Sequence, residues 1–291
     1  MKILLLGKNG QIGWELQRTL APLGEVIALG RQELDLLDQG AIRKTIRSRR
    51  PSIVVNAAAY TAVDKAEEEP DLAMAVNGIA PAILAEECSL LGAFLLHYST
   101  DYVFDGSKSK AYTEEDRPNP LNIYGKSKLA GEQAVAEKEA AHLLIRTGWV
   151  YSQYGKNFLN TILRLAAEKK ELTIVNDQYG APTWSRMIAE ATALLLAKST
   201  GNLAQTRDIY HLSAAGKTSW FGFAKKILSL AADHDLQAAK VVPISSLEYK
   251  TRAARPANTV LDNTKINDNY GLFLPSWQDS LNLVYEQSTG W

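Results

Sequence analysis

Short apolar segments alternate with amphipathic segments through the first half of the chain. The apolar segments have the length of strands that are buried on both faces: Ile3–Leu6, Val26–Leu29, Ile53–Val55, Phe94–Leu96 and Leu143–Ile145. Between them, apolar side chains recur at helical spacing, as over 70–91 and 122–138. This alternation predicts an α/β fold in which helices cover both sides of a doubly wound parallel sheet.

The pattern is less regular after about residue 150. Helical and strand-like stretches are predicted there at 157–169, 172–175, 184–198, 208–212 and 219–232. We expect a Rossmann-like domain over residues 1–150, with segments near 172–198 and 208–215 returning to it. Most of 151–291 is expected to form a smaller α/β lobe.

The composition of the 291 residues argues against several classes of protein. Lys and Arg number 32, as do Asp and Glu, so the chain lacks the net positive charge that favours nucleic-acid binding. The single cysteine, Cys88, cannot form an internal disulfide, which fits a reducing compartment. The apolar run near Met1 is too short for a secretory signal, and no run approaches the length of a membrane helix. We therefore predict a cytoplasmic protein that binds neither nucleic acid nor membranes.

A glycine-rich turn follows the first predicted strand. Gly7, Gly10 and Gly13 give the spacing G-x-x-G-x-x-G. Gly7 permits a tight turn, Gly10 lets the backbone approach a pyrophosphate, and Gly13 lets the helix pack against the strand. The helix N-terminus would then offer free N–H groups to phosphates. The turn predicts dinucleotide binding, with a purely structural turn as the alternative.

The end of the second predicted strand bears on the choice of cofactor. NAD-selective sites usually carry an acid here, whereas this chain has Gly30 followed by Arg31. Arg31 could pair with the 2′-phosphate of NADPH, which is the predicted cofactor, while NADH remains possible. An ordinary surface arginine is the alternative interpretation. Asp35 and Leu36 could meet the adenine edge.

Tyr124 and Lys128 form a Y-x-x-x-K pair in a predicted helix, where residues four apart share one face. A tyrosine hydroxyl has a pKa near 10, and we expect the Lys128 ammonium to lower that pKa. The same ammonium could reach the nicotinamide ribose hydroxyls. Ser99 or Thr100, at the end of the preceding strand, could bind a substrate carbonyl through its hydroxyl group, and Thr100 is the favoured candidate. Asp101 could contact a sugar hydroxyl or tune the pKa of Tyr124.

The chain has four histidines, His97, His142, His211 and His234. Their spacing is not that of metal ligands, so no protein metal site is predicted. His97 lies inside a strand run and is interpreted as a core residue.

These features together resemble the extended short-chain dehydrogenase/reductase family, and within it most closely the branch of the dTDP-4-dehydrorhamnose reductases. The resemblance spans nearly the whole chain. It is carried by GKNGQIGWELQ (7–17), VVNAAAYTAVDKAE (54–67), HYSTDYVFDG (97–106), PLNIYGKSKLAGE (120–132), IRTGWVY (145–151), NDQYGAPT (176–183) and RPANTVLD (255–262).

The resemblance implies a role for each matching residue. It places Tyr124 as proton donor, Lys128 on the nicotinamide ribose and Thr100 at the substrate carbonyl. Residues implied to contact the cofactor are Gly7, Gly10, Gln11, Ile12, Gly13, Arg31, Asp35, Leu36, Ala59, Tyr60, Thr61, Tyr98, Tyr124 and Lys128. The sugar is expected in the crevice between the two lobes. Residues implied to contact the dTDP-sugar there are Thr100, Asp101, Trp149, Asn157 and Arg255, the last two at the nucleotide diphosphate.

The implied activity is the NAD(P)H-dependent reduction of the C4 ketone of dTDP-4-dehydro-6-deoxy-L-mannose to dTDP-L-rhamnose, the last step of dTDP-rhamnose biosynthesis. One alternative is another nucleotide-sugar epimerase or reductase. The other is a non-catalytic regulatory subunit resembling that of methionine adenosyltransferase.

Two departures from relatives leave further points open. Some relatives have an acid in place of Gly30, which permits NADH. Some form a magnesium-bridged dimer through carboxylates after the G-A-P-T segment, where this chain has Trp184, Ser185 and Arg186. Magnesium dependence therefore stays undecided, and a monomer or a homodimer is expected.

Overall fold

The structure, a computed structural model, describes residues 1–199, 201, 203–232 and 239–288, and His234 lies outside them. The strands of this part of the chain are β1 (Lys2–Leu6), β2 (Glu25–Leu29), β3 (Ile53–Asn56), β4 (Phe94–Thr100), β5 (His142–Thr147), β6 (Val150–Tyr151), β7 (Glu171–Val175), β8 (Tyr179–Gly180), β9 (Thr183–Trp184), β10 (Arg207–His211), β11 (Thr218–Ser219) and β12 (Lys240–Ile244). The helices are α1 (Gln11–Leu20), α2 (Gln39–Arg49), α3 (Val63–Ala66), α4 (Pro70–Met74), α5 (Ala80–Leu91), α6 (Ile123–Ala136), α7 (Phe158–Glu168), α8 (Ser185–Ser199), α9 (Trp220–Ala232), α10 (Thr264–Tyr270) and α11 (Trp277–Ser288). A π-helical turn, Ala75–Ile79, joins α4 to α5.

Six parallel strands form the main sheet in the order β10-β5-β4-β3-β1-β2. The chain moves outward from β1 to β2 and then returns to β3 on the other side of β1. The strand order therefore reverses between β1 and β3, and ligands of such sheets bind outside the carboxyl ends of the strands at this point. The predicted doubly wound α/β fold is confirmed.

The main sheet is buried between two layers of helices. Ile3 and Leu5 belong to the apolar cluster that includes α1 and α8, and Leu4 and Leu6 belong to the cluster that includes α2 and α5. Burial on both faces is thus confirmed for β1, β3, β4 and β5. It is wrong for β2, which is only partly buried because it lies at the edge of the sheet.

The smaller lobe has its own core beneath α7, α9 and α11, built around Tyr151, Trp184, Phe223 and Trp277. Some of the segments that were expected to return to the first domain pack on it, and others belong to the smaller lobe. β10 extends the main sheet and α8 packs on α1, whereas β7 pairs with β12 away from the main sheet.

The helical run Pro70–Leu91 is long and apolar enough to cross a membrane by length and composition, and half of that window is buried inside the protein. A core helix of a globular protein has the same properties. Cys88 lies on its inner face, and burial raises the pKa of this thiol to about 12, so the thiol is unreactive at neutral pH.

Candidate active site

A cleft of about 810 Å³ opens at the carboxyl ends of the main-sheet strands. Its size suits a large ligand, since small-molecule pockets span about 300–1,000 Å³. The predicted site residues that line it are Gly7, Gly10, Gln11, Ile12, Arg31, Asp35, Leu36, Ala59, Tyr60, Thr61, Tyr98, Thr100, Asp101, Tyr124, Lys128, Trp149 and Asn157. Gly13 and Arg255 are not part of the lining.

The glycine-rich turn has the geometry that phosphate binding requires. Gly7 has a φ of +86°, and a Cβ there would lie 2.7 Å from the backbone nitrogen of Ala58. Gly13 instead holds α1 against the strand, because a Cβ there would lie 2.0 Å from the Gly7 carbonyl oxygen. Gly10 caps α1 without a side-chain hydrogen bond, so the first N–H groups of the helix stay open to an anion. The turn therefore fits a dinucleotide pyrophosphate.

The loop that follows β3 is fixed by a buried asparagine which the sequence did not single out. Asn77, in the π-helical turn, accepts from the Tyr60 N–H at 2.8 Å and donates to the Tyr60 carbonyl at 3.0 Å. Its amide also donates to Ser127 Oγ in α6 at 3.0 Å. Asn77 thus connects the loop of Ala59 and Thr61 to the helix that carries Tyr124. A π-helical turn often marks such a functional position.

Arg31 lies at the rim of the cleft near the end of β2. Its side chain is 77% exposed, and its contact with Asp35 is long, at 3.5 Å from Nε to the carboxylate oxygen. Glu33 accepts a hydrogen bond from the Gly30 N–H at 2.9 Å and pairs with Lys8 at 2.5 Å. The sequence analysis did not identify this acid. Its charge is therefore offset by Lys8, and Arg31 remains available to an anionic ligand.

Tyr124 lies in the first turn of α6, which Asn122 caps by accepting from the Gly125 N–H at 2.8 Å. The Tyr124 phenol and the Thr100 side chain both line the cleft. Desolvation raises the pKa of Tyr124 to about 12. The pKa of Tyr124 is therefore not lowered below its usual value as expected, because the cost of removing a phenolate from water dominates.

Lys128 lies one helical turn after Tyr124 and is fully enclosed. Its ammonium donates to the Tyr98 carbonyl at 2.6 Å and lies 3.4 Å from His97 Nε2. Burial lowers the pKa of Lys128 to about 8. The carbonyl of Tyr98 thus positions the lysine, while its hydroxyl is hydrogen-bonded to Thr192 of α8 at 2.6 Å.

His97 is fully buried, as its position in a strand run predicted, and it also contacts Lys128. The Asn56 amide oxygen accepts from the Ala58 N–H, so its nitrogen faces His97 Nδ1 at 3.0 Å and donates. Burial holds the pKa of His97 well below its usual value. The imidazole is therefore neutral.

Asp101 and Trp149 also line the cleft. Thr100 Oγ1 donates to Asp101 Oδ1 at 3.1 Å, and burial raises the pKa of Asp101 to about 6. Trp149 has a φ of +50°, unusual for a residue other than glycine. Its indole stacks on that of Trp220, with ring centroids 3.4 Å apart and planes at 3°. Trp220 comes from a distant helix, and no motif in the sequence marked it.

The two predicted diphosphate contacts have other partners. Arg255 pairs with Asp64 at 2.6 Å, outside the cleft lining. Asn157 lines the cleft, but its oxygen caps α7 by accepting from the Asn160 N–H, and its nitrogen donates to the Ser152 carbonyl at 2.8 Å. Lys156 is an exposed cation in the cleft lining, next to Asn157 in the chain. The sequence analysis did not identify it.

Within the described ranges, no three His, Cys, Asp or Glu side chains are grouped as a metal site would require. After the G-A-P-T segment, Arg186 lies over the Trp184 ring and bonds Glu15 at 3.3 Å. Glu190 pairs with Arg18 at 3.1 Å. Both carboxylates are therefore paired with guanidinium groups.

Comparison with known proteins identifies the family of the chain. Residues 1–289 match the family described as the RmlD substrate binding domain. The dTDP-4-dehydrorhamnose reductase of Burkholderia thailandensis is 47% identical over 290 residues, covering 97% of each chain. That of Escherichia coli K12 is 44% identical over 284 residues, covering 96% of this chain and 95% of the relative.

Solved structures give the same result. The dTDP-4-dehydrorhamnose reductase orthologue of Clostridium acetobutylicum has a TM-score of 0.91 at 36% identity, covering 99% of this chain and 100% of its own. The reductase of Bacillus anthracis, solved in complex with NADP, has a TM-score of 0.89 at 36% identity, covering 98% and 99%. The chain therefore belongs to the RmlD family, that of the dTDP-4-dehydrorhamnose reductases.

Proposed function

We propose that this protein reduces the C4 ketone of dTDP-4-dehydro-6-deoxy-L-mannose to dTDP-L-rhamnose, with NADPH as reductant. The observation that carries this proposal is that Tyr124, Thr100 and Lys128 come together in the lining of the cleft that begins at the Gly7 turn. Relatives named for this reaction support the choice of substrate. The protein would act in the cytoplasm, as the last enzyme of dTDP-rhamnose biosynthesis, as a monomer or a homodimer.

The raised pKa of Tyr124 suits a proton donor. At neutral pH the phenol keeps its proton, so the residue begins the reaction in the form that can donate. A bound nicotinamide would supply the hydride to the ketone carbon. Tyr124 would then donate its proton to the oxygen as negative charge develops there, and Thr100 would hold that oxygen by its hydroxyl group.

Lys128 would stabilise the phenolate that remains after the proton has left. Its position is set by the carbonyl of Tyr98, so the positive charge needs no rearrangement during the reaction. At pH 7 the ammonium is mostly protonated, because its pKa is about 8. The remaining N–H groups could also hold the ribose hydroxyls of the cofactor.

The two ends of the cleft suit the two ligands. Gly10, Gln11 and Ile12 would bind the cofactor pyrophosphate through the open N–H groups of α1, and Arg31 would bind the 2′-phosphate. The stacked indoles of Trp149 and Trp220 would form an apolar wall for the deoxysugar. The nucleotide diphosphate could be bound by Lys156, which lines the cleft, whereas Arg255 does not line it.

The first test is an absorbance assay at 340 nm. The purified protein is mixed with NADPH or NADH and with the dTDP-4-keto sugar generated in situ by an epimerase. We expect oxidation of added NADPH in proportion to the dTDP-L-rhamnose formed. Conversion of the sugar without loss of added cofactor would indicate an epimerase, and binding of NADPH without turnover would favour a regulatory role.

A further inference from the structure

Asn122 joins the helix of Tyr124 to the segment 253–259, which lies between β12 and α10. It directly precedes α6 and is only 2% exposed. It is not part of the cleft lining, whereas Tyr124, two residues later, is. Asn122 therefore cannot touch a ligand in the cleft, but it can affect the position of a residue that does.

Both ends of the Asn122 amide form hydrogen bonds, and the partners fix its orientation. Its oxygen accepts from the Gly125 N–H at 2.8 Å and so caps the first turn of α6. Its nitrogen donates to the carbonyl of Ala254 at 2.8 Å. A backbone N–H can only donate and a carbonyl can only accept, so the amide cannot turn round without losing both bonds. One side chain thus connects the start of α6 to Ala254.

The residues on either side of Ala254 are held by Asp64 of α3. One carboxylate oxygen of Asp64 accepts from the Ala253 N–H at 3.1 Å, and the other pairs with Arg255 at 2.6 Å. The helix α3 follows the loop after β3, which belongs to the cleft lining. The segment is therefore fixed to the first domain at three consecutive residues, by two separate side chains.

The same segment continues to the expected sugar site. The Ala257 carbonyl accepts from the Tyr179 N–H at 2.8 Å, and the Tyr179 carbonyl accepts from the Thr259 N–H at 2.8 Å. Thr259 Oγ1 accepts from the indole N–H of Trp149 at 3.2 Å. Segment 253–259 thus extends from the start of the helix of the proton donor to a residue that supports Trp149.

We propose that Asn122 is a positioning residue for the reduction, since its bond to Ala254 keeps Tyr124 aligned with segment 253–259 and with the sugar beside Trp149. This inference rests on the proposed function. A displacement of about 1 Å in a reacting group can lower a rate by about 100-fold. Loss of the bond should therefore slow the reaction without removing any group that touches a ligand.

The experiment separates the two functions of the Asn122 amide. Asn122→Ser keeps an oxygen that can cap α6, but its shorter side chain does not reach Ala254, whereas Asn122→Ala loses both bonds. We expect Asn122→Ser to lower kcat by about tenfold or more, to leave the Kd for NADPH within twofold, and to melt at a higher temperature than Asn122→Ala.

Asn263→Ser is the matched control, because the Asn263 amide also donates to a backbone carbonyl, that of Ser213 at 2.9 Å, outside the cleft lining. This variant should keep kcat within threefold of wild type. Wild-type kcat in Asn122→Ser would overturn the proposal. An equal loss of kcat and of NADPH affinity in Asn122→Ser would overturn it as well.

Asp64→Ala loosens the same segment from its other side and should by itself lower kcat by about threefold or more. If both residues act through segment 253–259, their effects are not independent. The double variant Asn122→Ser/Asp64→Ala should then be at most about twofold slower than the slower single variant. Effects on kcat that multiply, or an Asp64→Ala variant as fast as wild type, would contradict the positioning role.

Hydrogen–deuterium exchange gives a readout that does not depend on turnover. Asn122→Ser should increase exchange in peptides that cover 251–259, where the N–H groups of Ala253 and Thr259 are hydrogen-bonded. If the wild-type protein shows no reductase activity but exchange responds in this way, the proposed function fails while the connection through Asn122 stands. Unchanged exchange over 251–259 in Asn122→Ser would refute that connection directly.

Discussion

Lys128 donates a 2.6 Å hydrogen bond to the backbone carbonyl of Tyr98. This bond ties the helix that carries Tyr124 to the strand that carries Thr100. The two groups that would act on the substrate oxygen therefore come from elements connected through a buried lysine. Burial also lowers the pKa of this lysine to about 8, so its charge can be lost within a mild alkaline range.

The activity should depend on the charge of Lys128. The ammonium is present below about pH 8 and is lost as the pH rises through that value, so kcat should fall on the alkaline side. Lys128→Met should lower kcat by about 100-fold or more and remove this limb. Lys126→Met, a substitution at an exposed site on the same helix, serves as the control and should keep the wild-type profile. An alkaline limb that survives in Lys128→Met would assign it to another group.

Tyr124→Phe should lower kcat by about 10²- to 10⁴-fold, because only the transferable proton is removed. The Kd for NADPH, measured by fluorescence titration, should stay within twofold. Tyr151→Phe is a matched control, since its buried hydroxyl has no hydrogen-bond partner among the described residues and lies outside the cleft. Equal losses of turnover and cofactor affinity in Tyr124→Phe would show that the phenol binds the cofactor instead.

Arg31→Ala should raise the KM for NADPH by about 10- to 100-fold, as expected for loss of a hydrogen bond between a guanidinium and a phosphate. The KM for NADH should change less than threefold, because NADH has no 2′-phosphate. Steady-state kinetics with both cofactors provides the comparison within one variant. If both KM values rise together, Arg31 does not select the cofactor.

Glu132 and Arg146 form a buried bidentate pair, with N···O distances of 2.9 and 2.6 Å. Each side chain is only 3% exposed. Glu132→Gln should lower the free energy of unfolding by about 3–5 kcal/mol, because it leaves a buried guanidinium without its counterion. Glu168→Gln, in the exposed pair with Arg164, should change it by less than about 1 kcal/mol. Urea denaturation of both variants tests the difference, and similar losses would contradict it.

Short-range patterns predicted much of the site, because they report local geometry. The spacing of Gly7, Gly10 and Gly13 implies a turn at the start of a helix, and the spacing of Tyr124 and Lys128 places them on one helix face. The raised pKa of Tyr124 was not predictable in this way. It depends on how far the assembled cleft removes the phenol from water, which no local spacing reports.

Residues that reach the site from distant segments could not be found from the sequence. Trp220 and Thr259 meet Trp149 only after the smaller lobe has folded, and neither lies in a motif with chemistry of its own. The resemblance implied a diphosphate contact for Arg255, and the fold pairs this residue with Asp64, 191 positions away in the chain.

The most direct test of the proposed reduction follows the hydride itself. NADPH that carries deuterium at the transferable position of the nicotinamide is incubated with the protein and the dTDP-4-keto sugar, and the product is examined by mass spectrometry and NMR. We predict one deuterium at C4 of dTDP-L-rhamnose for each NADPH oxidised, and no labelled product with Tyr124→Phe on the same timescale. A converted sugar without deuterium at C4 would contradict the proposed reaction.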